Sequence, residues 1–127
     1  MAESAKRELI TKSTKYPFST AVIFGNLVFI SGAIGRNPET GLIAVGDVSE
    51  QTRQVLSNLQ THLIEAGSSL GQALKVTIFL KDMNSYSQMN EAYRSCFQEG
   101  FPARSCVEVS ALPDKDALVE IEVIAGR

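Results

Sequence analysis

The chain has 127 residues, with 12 Lys+Arg against 14 Asp+Glu, a formal charge of −2, 44% hydrophobic residues and no Trp. That length fits one domain able to bury roughly two thirds of the surface its unfolded form exposes. The hydrophobic content excludes a disordered chain, and no apolar run approaches the ~20 residues of a membrane span.

Near the N-terminus, Lys6, Arg7, Lys12 and Lys15 are not followed by an apolar h-region, and Glu3 and Glu8 argue against a transit leader, so the chain reads as cytoplasmic. With no repeat, low-complexity tract or Pro/Ser-rich linker, residues 1–127 read as a single domain. A weak strand opens near Glu8–Thr11. Thr20–Phe24 and Leu27–Ser31 are β-branched and aromatic, and Gly25-Asn26 between them suits a two-residue hairpin turn. Gly32–Gly46, with Asn37-Pro38 and Gly41, reads as a loop with room for a small hairpin. Asp47-Val48-Ser49-Glu50 has capping-box form, and Val55, Leu56, Leu59, Leu63 and Ala66 follow at helical spacing until Gly67. Ala73–Leu80 reads as a strand. Ser85-Tyr86-Ser87-Gln88 offers a second capping box before Met89, Ala92, Tyr93, Cys96 and Phe97, and Gly100 and Pro102 close that helix. Ser105–Ser110 and Leu118–Ala125 read as final strands joined across Leu112-Pro113-Asp114.

The order β-β-β-α-β-α-β-β predicts an α+β domain: a mixed sheet with two helices on one face. Two strands carry apolar groups on both faces: Ala21 and Ile23 against Val22 and Phe24, and Val76, Ile78 and Leu80 against Phe79. Two helices cover one face only. The second face then needs another copy of the chain, which predicts a homo-oligomer with ligand clefts at subunit boundaries.

Scattered Lys/Arg offers no electrostatic footprint for nucleic acid. Cys96 and Cys106 with one histidine lack metal-ligand spacing and read as free thiols. Three stretches have enough polar density for a site. In Phe101–Cys106, Arg104 reads either as a surface arginine on an edge strand or as a planar fork for a carboxylate. In Val119–Val123, Glu120 and Glu122 share one strand face, solvated or functional. If the last two strands pair as a hairpin closing near Leu112, Arg104 lies opposite Glu120, as a structural ion pair or as a cation that binds an acid beside a carboxylate that directs water. Ser31-Gly32-Ala33-Ile34-Gly35 is either a plain turn or a place where backbone N–H groups meet a ligand. His62, between Leu59 and Leu63, reads as lying on or beside a packed helix face. Cys106 reads as a small buried residue or a reactive thiol with only Arg104 near in sequence to lower its pKa.

Ser31-Gly32, Pro38-Glu39-Thr40-Gly41, Gln51-Thr52-Arg53, Lys75-Val76-Thr77, Asp82-Met83-Asn84, Asn90-Glu91, Phe101–Val109, Leu112-Pro113 and Val119-Glu120-Ile121-Glu122 together resemble the Rid (YjgF-type) family of enamine/imine deaminases from about Pro17 to Ala125. The resemblance implies a chorismate-mutase-like subunit in a homotrimer with clefts between subunits. It implies hydrolysis of 2-aminoacrylate and related 2-imino acids to 2-keto acids and ammonia, without a cofactor. By motif, Arg104 clamps the carboxylate and Glu120 polarises the attacking water. Backbone groups near Gly32 and Cys106 complete the pocket, with Ser31 and Asn90 beside it. Where typical members read G-P-Y-S, this chain reads Tyr16-Pro17-Phe18-Ser19, so the cleft tyrosine is Phe18. Ala33 and Gly35 replace the usual Gln and Pro. Two other readings are a trimeric binder of small carboxylic acids without turnover, which Phe18 motivates, and an RNA-cleaving translation inhibitor, for which no basic patch or stacking surface is visible.

Overall fold

A computed structural model describes residues 6–127; Glu3, which weighs against a leader in the sequence, lies outside them. Strands β1 (Glu8–Ile10), β2 (Ala21–Phe24) and β3 (Leu27–Ile34) are followed by helix α1 (Val48–Glu65), β4 (Ala73–Leu80), helix α2 (Tyr86–Arg94), β5 (Ala103–Glu108) and β6 (Val119–Gly126). The expected order of elements is therefore present. All six strands form one sheet in the order β1-β2-β3-β6-β4-β5, mixed because β4 and β5 run parallel while every other pair is antiparallel.

The hairpin at Gly25-Asn26 is a two-residue turn with Phe24 paired to Leu27, and Gly25 has φ +60 while no described non-glycine residue, Asn26 included, has a positive φ, the pattern of a type II′ turn. β3 runs further than expected, to Ile34, and one bridge between Arg36 and Ile43 forms the small hairpin beyond it. The register of β3 on β6 shifts between Ile30 and Ala33, so Ser31 and Gly32 form a bulge. Asp47 Oδ1 accepts from the amides of Ser49 and Glu50, but Glu50 pairs with Arg53 instead of completing a capping box. At α2 the expected capping box is absent. Ser85 makes no side-chain cap, because a 3-10 turn over Met83–Ser85 leads into the helix, and Gln88 donates across to Asp47 Oδ2 at 2.7 Å.

The hairpin expected between the last two strands does not form. β6 inserts between β3 and β4, and β5 lies at the sheet edge beside β4. The side chains account for this. Val119, Ile121, Val123 and Ala125 are all buried and suit a central strand, whereas β5 carries Arg104, Ser105 and Glu108, which an edge tolerates.

Both helices lie over one face, where Leu59 and Leu63 of α1 and Met89 and Tyr93 of α2 pack with Val28, Ile30, Val76 and Ile78 in one core. Among the described residues no element covers the opposite face: Val28 is fully buried while its neighbour Phe29 is 40% exposed, and Leu9, Phe24, Leu27 and Val107 are exposed too. Buried Gln51 fixes the return loop, accepting from the Leu118 amide at 2.7 Å and donating to the Asp116 carbonyl at 3.1 Å. Among the described residues, no helix is long and apolar enough to cross a membrane.

Candidate active site

Glu120 sits on β6 opposite Phe79 of β4 and Ile34 of β3, and therefore projects from the open face. A cavity of about 440 Å³ surrounds it, lined by Tyr16, Phe18, Gly32, Ile34, Arg36, Pro113 and Asp114. A Cβ at Gly32 would lie 2.5 Å from Glu120 Oε1, so any larger residue here would push the Glu120 side chain out of its place. Burial, reinforced by the neighbouring charge of Glu122, pushes the Glu120 carboxyl above its ordinary range, and no cation pairs with it among the described residues. Arg36 ties the rim together through the Gly41 carbonyl at 2.6 Å and Asp114 Oδ2 at 2.8 Å. The Asp116 amide and Arg36 hold the Asp114 carboxyl below its usual range. Ser31 belongs to the neighbouring bulge, but its hydroxyl donates to the Ser19 carbonyl at 2.6 Å, and it lines an adjoining cavity with His62 rather than the one around Glu120.

Arg104 occupies the other face. It pairs in register with buried Val76 of β4, so it points under the helices, where its guanidinium carbon lies 4.8 Å from the Tyr93 ring centroid and 5.6 Å from that of Tyr86. Its Nη2 donates to the Tyr86 hydroxyl at 3.0 Å. Burial pushes the Tyr93 phenol up to about 12, Arg104 offsetting part of the effect. Asn90 and Tyr93 line a cavity of about 200 Å³ with Arg104. Two residues along β5, half-buried Cys106 shares this face; burial raises its thiol and Arg104 pulls only partly against that, which is not the setting of a reactive thiolate. His62 is half-buried beside the packed face, its imidazole shifted down by burial.

The cross-strand pairing of Arg104 with Glu120 is thus corrected. Their backbones are about 14 Å apart by strand rise and spacing, with β4 between them and the side chains on opposite faces. The structure brings Phe18, Gly32 and Glu120 together, and separately Asn90, Arg104 and Cys106. Sequence reasoning missed Tyr86 and Tyr93 as the cradle of Arg104. Their seven-residue spacing, two helical turns, was the available signal.

Comparison with known proteins places the chain in a family. The family model described as Endoribonuclease L-PSP matches residues 10–126. A RutC family protein of Pyrococcus horikoshii is 53% identical over 111 residues, 87% of each chain. The 2-iminobutanoate/2-iminopropanoate deaminase of Escherichia coli is 44% identical over 114 residues, covering 87% of this chain and 88% of the other. A Rid family protein of Yersinia pestis superimposes with a TM-score of 0.89 at 44% identity, over 96% of this chain and 100% of that one. This chain belongs to the Rid (YjgF/UK114) family. Another Rid-like structure, Escherichia coli TdcF with bound serine, matches over 99% of each chain with a TM-score of 0.84 and 37% identity.

Phe18, which the sequence resemblance sets where a tyrosine is expected, has a phenol beside it. Tyr16 and Phe18 stack with ring centroids 6.1 Å apart and 18° between planes, and both line the Glu120 cavity. A phenol therefore stands on this wall two residues from Phe18.

Proposed function

We propose that the protein is a cofactor-free deaminase that hydrolyses 2-imino acids, 2-aminoacrylate and its relatives after tautomerisation, to 2-keto acids and ammonia. It acts as a chorismate-mutase-like homotrimer, in the reducing cytoplasm that its two free thiols suit. The observation that carries the reading is the split site: a cradled guanidinium on one face and a bare carboxylate on the other, each beside an incomplete cavity. Seating the β5 edge of one copy, where Arg104 lies, against the uncovered, aromatic-bearing face of the next lets Arg104 of one subunit meet Glu120 of another.

The chemistry asks little of the protein. Arg104 grips the substrate carboxylate as a charge-assisted fork, steadied by Tyr86 and Tyr93. Glu120 takes a proton from water as its oxygen adds to the imine carbon and returns it to the nitrogen, giving the carbinolamine; the hydroxyl proton of that adduct then passes to the nitrogen as the C=O forms, the C–N bond breaks and ammonia leaves. The raised affinity of Glu120 for a proton makes it a better base than an exposed carboxylate. Gly32 leaves room for the reacting carbon beside Glu120 Oε1. Asn90 and the backbone near Cys106 border the carboxylate end, and Ser31 holds the bulge that carries Gly32. Tyr16 supplies the phenol that Phe18 lacks.

The name of the E. coli relative and 44% identity support the reaction class. The test is a coupled assay in which a dehydratase generates 2-aminoacrylate: the protein accelerates pyruvate release, and Arg104→Ala abolishes the increment. Equal acceleration by the variant overturns the assignment. Binding without turnover is the second reading. Phe18 in the cavity wall and a relative solved with serine favour it, and calorimetric 2-oxobutanoate binding with no deamination would establish it.

A further inference from the structure

We propose that the Arg104 half of the site recognises a second acidic group through Arg94, so that the protein prefers dicarboxylic 2-imino and 2-keto acids of four or five carbons to their monocarboxylic counterparts. This rests on the deaminase reading for the grip of Arg104 on the first carboxylate.

The cavity between α2 and the start of β5, about 200 Å³, is lined by Asn90, Tyr93, Arg94, Phe101, Pro102 and Arg104. Its lining contains two guanidiniums and no carboxylate. Neither arginine is in an ion pair among the described residues, although Glu91 and Glu99 are close in sequence. Each is held instead against a ring: Arg94 lies 5.5 Å from the Phe101 centroid and Arg104 lies 4.8 Å from that of Tyr93. Ring contact orients a guanidinium without neutralising it, and leaves its N–H edges free for an anion.

The same lining holds two buried polar atoms with no partner, Asn90 Oδ1 and the Tyr93 hydroxyl. A buried group left unpaired is costly, and most such groups in folded proteins find a partner. Asn90 Oδ1 can only accept, so of the two it is the Tyr93 hydroxyl, once turned toward the cavity, that can donate to an anionic occupant between the two guanidiniums. One carboxylate on Arg104 satisfies one of the two charges. A second acid on a short chain satisfies the other, and the small volume excludes a bulky bridge between them. Tyr93, which stays protonated at neutral pH, is the donor available between the two groups.

The test is calorimetric titration of 2-oxobutanoate and 2-oxoglutarate, at low ionic strength, into the wild type, Arg94→Met, Arg94→Lys and Arg104→Ala. The wild type should bind 2-oxoglutarate at least tenfold more tightly, about what one added charge-assisted contact provides. Arg94→Met should bring the ratio of the two affinities close to one, and Arg94→Lys, which keeps the charge without the fork, should fall between. Equal wild-type affinities, or a preference that survives Arg94→Met in a protein with unchanged circular dichroism, overturn the proposal. Undiminished 2-oxobutanoate binding by Arg104→Ala overturns instead the deaminase reading beneath it.

Discussion

The two halves of the candidate site solve opposite problems. Arg104 ends a long, flexible side chain, and the fold spends two tyrosine rings and a hydroxyl on fixing its head. Glu120 receives no side-chain hydrogen bond of that kind from the described residues. It stands in a cavity where burial and Glu122 disfavour its charge, with Gly32 cut back to give it space. A binding cation needs orientation, whereas a base needs partial desolvation and room for a reactant. Because the halves lie on opposite faces of one sheet, no single copy can bring both to one small molecule.

Three substitutions sharpen this comparison, in order of falling effect. Gly32→Val should lower kcat/KM about a hundredfold by displacing Glu120, since misplacement of about 1 Å costs that much; steady-state kinetics beside an unchanged thermal melt would check it. Tyr86→Phe acts on the other half. Losing one hydrogen bond to a charged group removes about 1.5 kcal/mol or more, so KM should rise at least tenfold while kcat changes little, and a fall in kcat alone would place Tyr86 in the chemistry. The smallest effect is on stability. Folding raises the Glu120 pKa, so the folded state holds its proton more tightly, and stability falls as pH rises from the unfolded to the folded value. Glu120→Gln should therefore melt slightly higher than wild type at neutral pH, with the gain fading below the ordinary carboxylate range. In wild-type kinetics the acid limb should lie above that range.

Much of this molecule is legible in its sequence. Gly25-Asn26 between two β-branched runs specifies a hairpin by local geometry, and the spacing of Leu56, Leu59 and Leu63 specifies a helix face. The apolar residues on both strand faces also foretold the uncovered face that carries Phe29. Strand order was less accessible. That β6 enters between β3 and β4 depends on which strands compete best for the centre of the sheet, a global matter that no local spacing encodes, and a hairpin between neighbours in sequence was the simpler assumption. The same limit hid the aromatic cradle: Tyr86 and Tyr93 are visible as a helix face, but only the parallel register of β5 on β4 puts Arg104 against them. At Ser85 a capping motif was present in the letters, and the 3-10 turn from Asp82 displaced it.

The most direct test of the split site mixes two inactive proteins, Arg104→Ala and Glu120→Ala, unfolded together and refolded at equal concentration. If each site takes its arginine from one copy and its glutamate from another, about a quarter of the sites regain both groups, and roughly that fraction of deaminase activity should return. No recovery, in mixtures shown by native mass spectrometry to contain both variants in one oligomer, would contradict the account.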